Sequence, residues 1–143
     1  MTVKDILSQK GGQVLTIEPT ATLAAALKVL AQRRIGALVV TGADRRIVGI
    51  ISERDIVRVL DEKGTAVLEA PVAETMTRKV VTCAQGETIA EIMERMTSGK
   101  FRHVPVVEQG QLVGIISIGD VVKARLGELE HEHDALRDYI RTA

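Results

Sequence analysis

The phrase GIIS, with Asp three residues after its Ser, occurs twice: GIISERD at residues 49–55 and GIISIGD at residues 114–120. The echo is not confined to these positions. VLTIEPTATLAAALKVL (14–30) parallels VVTCAQGETIAEIMERM (80–96) at an offset of 66 residues, counted from Val14 to Val80. IGALVVTGADRRIVGIIS (35–52) parallels FRHVPVVEQGQLVGIIS (101–117), with a one-residue slip in the loop. VKDIL (3–7) and VAETM (72–76) also correspond, ahead of a glycine-bearing loop that is longer in the first half. Internal repetition over nearly all of 143 residues means two copies of one supersecondary unit. A unit of ~60 residues buries too little of its surface to be secure alone, so the two copies are expected to share one core.

Each copy presents its elements in the same order. A short extended piece (14–17; 80–83) leads into a helix marked by its periodicity, with Leu23, Leu27, Leu30 and Ala31 on one face in the first copy and Ile89, Met93 and Met96 in the second. Thr20 or Thr22 offers a side-chain oxygen to the unpaired amides of the first helix, and Gly99 marks a stop for the second. Two β-rich runs follow in each half, flanking GADRR in one and EQG in the other, as hairpins do. A second helix closes each unit, carrying Ile56, Val57 and Leu60 or Val121, Val122 and Leu126. The expected fold is α+β: two β-α-β-β-α repeats packed sheet to sheet about a pseudo-twofold axis, with a C-terminal amphipathic helix. The polar, Gly- and Pro-containing stretch 61–71 marks the join, giving a first repeat at 1–68, a second at 69–127 and a helical extension at 128–143.

Composition narrows the function classes. With one Phe, one Tyr and no Trp, the core must be aliphatic. Nineteen basic residues cancel nineteen acidic ones, whereas a nucleic-acid binder draws its affinity from a basic excess and often from aromatic stacking. Nucleic acid is therefore not the expected partner. No apolar run approaches the ~20 residues of a membrane span, so no membrane role is expected. The N-terminal stretch lacks the basic-then-apolar layout of a signal peptide. Cys83, the one cysteine, has no internal disulfide mate, which fits a reducing compartment; the expected location is the cytoplasm.

The repeated phrase has two readings. An apolar strand gives way to Ser52 or Ser117, and Asp55 or Asp120 follows in the first helical turn. Unpaired amides at a helix start favour phosphate, a hydroxyl joins such a site, and a carboxylate accepts hydrogen bonds from a ribose diol. The same Ser-x-x-Asp spacing is also an ordinary helix cap. Duplication copies a cap as faithfully as a site, so spacing alone leaves both open.

In its two matched series of motifs the chain resembles a tandem pair of CBS (cystathionine β-synthase) domains, also called a Bateman module, over roughly residues 3–127. The resemblance rests on IGALVV and RHVPVV, on GIISERD and GIISIGD, and on the extended segment and helix ahead of each. It implies two clefts that take adenine nucleotides, with Ser52 and Asp55 serving one and Ser117 and Asp120 the other, each Asp holding a ribose diol. Thr16 and Ile17, and Thr82 and Cys83, would line the adenine pockets. Ile35, Gly36 and Ala37, and Phe101, Arg102 and His103, would supply wall and edge contacts. His103 stands where similar domains carry a basic residue that approaches phosphate; its counterpart is Ala37, and the alternative is a hydrogen-bonded surface histidine. Arg54 would reach phosphate from the SERD turn or be merely solvated, and Gly119 replaces it in the second copy. Two sites of unequal affinity are expected. AMP, ADP, ATP and NAD(H) all remain open as ligands, and no catalytic cofactor is implied.

No nucleophile–base–orienter set stands out, so an enzyme is not expected. His131 and His133, two residues apart on a helix, point away from each other and make no metal site. Cys83 reads as a small core residue. The tail RLGELEHEHDALRDYI repeats Leu126, Leu129, His133, Leu136 and Ile140 at three- and four-residue steps. This helix packs either on its own module or in a dimer, and the resemblance favours a homodimer. The leading expectation is a regulatory, signal-transducing module that senses an adenine nucleotide and acts through an effector protein. The alternative is a structural adaptor or dimerisation protein with vestigial clefts.

Overall fold

The computed structural model describes residues 1–142 and is a mixed α+β structure in which helices flank two small sheets. In chain order the elements are α1 (Val3–Lys10), β1 (Thr16–Ile17), α2 (Leu23–Arg33), β2 (Ala37–Thr41), β3 (Ile47–Ser52), α3 (Glu53–Lys63), α4 (Ile89–Gly99), β4 (His103–Glu108), β5 (Gln111–Ser117) and α5 (Ile118–Thr142). Short 3-10 turns lie at Ala43–Arg45, Thr65–Glu69 and Val72–Glu74. The β-α-β-β-α order is therefore complete in the first repeat. In the second, the leading extended piece is reduced to one parallel bridge, Cys83 to Val106.

The chain divides into two compact units that are not continuous in sequence. One contains residues 13–81 and 109–113; the other contains residues 1–12, 82–108 and the chain from Gly114 onward. Each leading segment thus packs with the other repeat's elements. Val3 N–H donates to Glu87 O at 3.0 Å, while Val72 N–H donates to Ala21 O at 2.7 Å. Val3 and Val72 are repeat counterparts, as are Ala21 and Glu87, so one contact is made twice by exchanged partners.

In the unit around α2 and α3, β1 runs parallel to β2 and β2 antiparallel to β3. The register Ala37–Ser52 and Leu38–Ile51 seats alternate residues against α2 and α3, where Leu23, Ala26, Leu30, Leu38, Val40, Ile51, Ile56, Val59 and Met76 form the core. The buried stripe of α2 is Leu23, Ala26 and Leu30; Leu27 is 39% exposed. The expected Leu27 face is one position off: the helix turns Ala26 to the core and Leu27 outward. In the same way α4 buries Ile92 in place of Met93, and α3 buries Val59 where Val57 was expected. Val67, in the polar join, is also buried.

Thr22 caps α2 by accepting from Ala25 N–H at 3.1 Å, and Thr88 caps α4 from Glu91 N–H at 3.2 Å. Gly99 is the last residue of α4, not the left-handed one after it, a position held by Lys100 at φ 58° as Arg34 holds it after α2. Gly99 leaves room for the Phe101 ring, which a Cβ would meet at 2.3 Å. β4 and β5 join through Gln109 and Gly110, both at positive φ, as a tight two-residue hairpin requires. The closing helix of the second repeat and the C-terminal extension are one uninterrupted helix, α5, which carries Gly127 in its interior.

Candidate functional site

Each Ser-x-x-Asp phrase lies where a strand ends and a helix begins. Ser52 is the extended last residue of β3 and the N-cap of α3. Its N–H donates to Asp55 Oδ2 at 3.0 Å, its hydroxyl donates to the same oxygen at 2.9 Å, and its Oγ accepts from Asp55 N–H at 3.2 Å. This is a reciprocal capping box. Asp55 is 8% exposed, and Arg58, one turn later, donates to its Oδ1 at 3.2 Å.

The second phrase repeats the cap and changes the partner. Ser117 N–H donates to Asp120 Oδ2 at 2.8 Å, and Asp120 N–H donates to Ser117 Oγ at 3.2 Å. Here the cation comes from α1: Lys10 Nζ donates to Asp120 Oδ2 at 2.7 Å and to Ile115 O at 2.9 Å. Burial pushes the Asp120 carboxyl up, but the Lys10 ammonium and the Ser117 N–H outweigh it and hold the group below the usual carboxylate range. Sequence reasoning missed both cations. Arg58 had a signal, being three residues from Asp55 on one helix face; Lys10, 110 residues from Asp120, had none.

Of the remaining residues, the segments before β2 and at the start of β4 lie beside these caps, whereas Thr16, Ile17, Thr82 and Cys83 are placed only by their pairing with β2 and β4. Gly36 O accepts from Glu53 N–H at 3.0 Å, and Ala37 is the cross-strand partner of Ser52, so Ile35, Gly36 and Ala37 lie beside the first turn of α3. Thr16 and Ile17 pair with Val39 and Val40 on the other edge of β2. Arg54 is exposed on that first turn, and the structure gives it no role in the cap. In the other unit Arg102 O accepts from Ile118 N–H at 2.8 Å, the repeat equivalent of the Gly36 contact, which places Phe101, Arg102 and His103 beside the first turn of α5. Cys83 N–H donates to Pro105 O at 3.0 Å and its carbonyl accepts from Val107 N–H at 2.9 Å, aligning Thr82 and Cys83 with β4. Thr82 is exposed, whereas Cys83 is buried, and burial with the Glu87 charge pushes its thiol up to about 12. Such a thiol is protonated at neutral pH and is not a nucleophile.

Each unit thus presents a hydroxyl, a carboxylate and a backbone edge at one strand-to-helix junction. A carboxylate accepts about four hydrogen bonds in all, so the cap leaves capacity for a diol. Among the described residues no group of three or more His, Cys, Asp or Glu is placed to hold a metal, and no helix is long and apolar enough to cross a membrane.

The CBS domain family matches the chain over residues 3–62 and 72–127. Among solved structures, the chain is similar to a CBS-domain-containing protein of Agrobacterium tumefaciens, with 49% identity and a TM-score of 0.85 over 87% of this chain and 99% of that one. It is also similar to a CBS domain protein of Pyrobaculum aerophilum complexed with AMP, with 29% identity and a TM-score of 0.75, covering 84% and 89% of the two chains. A third relative is the CBS domain pair of protein MJ0100 in complex with 5-methylthioadenosine and S-adenosyl-L-methionine: 27% identity, TM-score 0.79, coverage 90% and 98%.

Proposed function

This chain belongs to the CBS domain family, and from that premise we propose that it is a regulatory module that binds an adenosine-containing ligand at its two Ser-x-x-Asp junctions and acts through a partner protein. The observation that carries this reading is the exact-register duplication of the junction: Ser52 with Asp55 beside the Gly36 carbonyl, and Ser117 with Asp120 beside the Arg102 carbonyl. AMP, 5-methylthioadenosine and S-adenosyl-L-methionine, the ligands of the two complexes above, share an adenosyl group and a ribose diol. The diol is what a carboxylate at a helix start recognises. The sites differ in their cations, Arg58 on one carboxylate and Lys10 on the other, so the two bind with unequal affinity. No catalytic step is assigned to either junction, and a homodimer is the proposed assembly.

The test is thermal unfolding with AMP, ADP, ATP, NAD(H), 5-methylthioadenosine and S-adenosyl-L-methionine. A ligand at a hundred times its dissociation constant stabilises the fold by about 2.7 kcal/mol. The ribo-ligand is expected to stabilise and its 2′-deoxy analogue to do so far less. The same capping geometry favours one other reading, an adaptor whose phrases are caps alone. No shift with any of these ligands at millimolar concentration would establish that reading instead.

A further inference from the structure

The last five turns of α5 carry an apolar stripe that the other described residues leave uncovered. Leu126 is 55% exposed, Leu129 44%, Leu136 58% and Ile140 65%. With His133 they recur at alternating steps of three and four residues, the a and d spacing of a heptad seam. Leu126, Leu129 and His133 line an open depression flanked by Glu130 and Asp134. A folded chain rarely leaves such a stripe in water without an occupant.

The charges beside the stripe identify the occupant. With Leu126 and His133 at a and Leu129 and Leu136 at d, the flanking e and g positions are Arg125, Glu130, Glu132 and Arg137. In a parallel two-stranded coiled coil each g residue faces the e residue five positions later on the other helix. Arg125 then faces Glu130 of the second copy, and Glu132 faces Arg137, so both pairs are of opposite sign. An antiparallel partner in the register that pairs Leu126 with Leu136 and Leu129 with His133 sets Glu130 and Glu132 each against its own counterpart. We propose that α5 is a self-association surface that pairs in parallel with α5 of a second copy of this chain. The proposal rests on the homodimer proposed above and names its surface and polarity.

The geometry of the single chain is compatible with this. Arg125 lies 3.6 Å from Glu128 on its own helix, a loose contact that leaves its guanidinium able to swing to Glu130 of the other copy. His133 at an a position sets two imidazoles side by side, a polar layer of the kind that fixes register at a cost in stability. Fewer than three heptads make a weak pair, so association is expected at micromolar concentrations and not far below.

The experiment is light scattering on the full chain, with circular dichroism to confirm unchanged helicity in each variant. The parent is expected at twice its 15.5 kDa mass. Glu132→Arg turns both Glu132–Arg137 pairs repulsive and is expected to weaken association by about tenfold. Adding Arg137→Glu to that variant restores opposite signs and is expected to restore the dimer. Ile140→Cys, at an a position, is expected to cross-link on oxidation, with the parent as control for buried Cys83. A monomeric parent overturns both the homodimer and this surface. A dimer indifferent to Glu132→Arg, or one that Ile140→Cys fails to cross-link, keeps the homodimer and overturns the parallel α5 pairing.

Discussion

Asp55 and Asp120 occupy equivalent places and are neutralised by different means, and that difference is what makes the two proposed sites unequal. Arg58 sits on the same helix as Asp55, so it reaches Oδ1 without ordering anything distant. Lys10 instead ties α1 to the start of α5 through a 2.7 Å contact whose side chains are 36% and 26% exposed. An ion pair of that exposure contributes about 1 kcal/mol at most. Under the proposed function, a ribose diol seated on Asp120 Oδ2 would displace the ammonium from that oxygen. Lys10→Met is therefore expected to cost about 1 kcal/mol of stability at neutral pH while tightening nucleotide binding at the Asp120 junction several-fold. The folded carboxyl titrates below its ordinary value of 3.8, so the contact stabilises the fold above that pH and is lost as pH falls through the lower folded value. Denaturant unfolding of parent and variant should thus differ at pH 7, and the difference should shrink only as pH falls below 3.8 through the lower folded value. A variant that binds nucleotide more weakly would mean that Lys10 serves the ligand and does not compete with it. The capping boxes also bear on how the sites are probed: Asp→Ala deletes a cap along with a ligand group, so Asp55→Asn and Asp120→Asn are the cleaner substitutions.

The glycine that opens each GIIS phrase acts at the scale of elements. In β3, a Cβ on Gly49 would lie 2.5 Å from Met76 Sδ and 3.0 Å from the Thr77 carbonyl oxygen. In β5, a Cβ on Gly114 would lie 2.6 Å from Leu7 Cδ2. Leu7 and Met76 are repeat counterparts, so each glycine receives the exchanged leading segment of the other half. Gly49→Ala meets backbone as well as side chain and is expected to destabilise the protein by about 1–3 kcal/mol. Gly114→Ala meets only the branched end of a leucine, which can rotate, and should cost less. Urea unfolding of the two variants checks the order; equal costs would show that the Thr77 carbonyl is not what makes Gly49 necessary. The repeat and its hairpins were legible because periodicity and turn residues report on local geometry. The exchange was not, because VKDIL and VAETM look alike and nothing local says which half each joins. The tail periodicity already ran through Gly127, and α5 is continuous there because a glycine costs a helix only about 1 kcal/mol, which a 25-residue helix absorbs. The buried faces of α2 and α4 were not legible to the residue, because Leu27 and Met93 are as apolar as the Ala26 and Ile92 that the helices turn inward.

At the scale of the whole molecule, a regulatory protein must turn occupancy into a changed surface, and the exchanged segment offers a way. The N-terminal end of α1 is held by backbone bonds, Val3 N–H to Glu87 O and Lys4 N–H to Gln85 O, both 3.0 Å, and by Ile89 N–H to Met1 O at 3.2 Å. Its C-terminal end is held by Lys10 to the start of α5, at Asp120, and to β5, at Ile115 O. A ligand that displaced Lys10 from Asp120 Oδ2 would remove one of those two contacts and leave the N-terminal bonds alone. Only the last turn of α1 then loosens, a change confined to a segment that α5 adjoins. Because a ligand shifts an equilibrium only by its differential interaction with two states, an exchange of Lys10 for ribose at Asp120 would supply the coupling that the proposed function requires. Amide hydrogen exchange with and without saturating AMP is expected to show faster exchange at residues 8–11 and unchanged exchange at residues 3–6, with added protection at Ser117 and Asp120. Lys10→Met should show the faster exchange at 8–11 without ligand, and AMP should add nothing to it. Uniform protection of α1 on binding, in parent and variant alike, would refute the coupling while leaving the binding site in place.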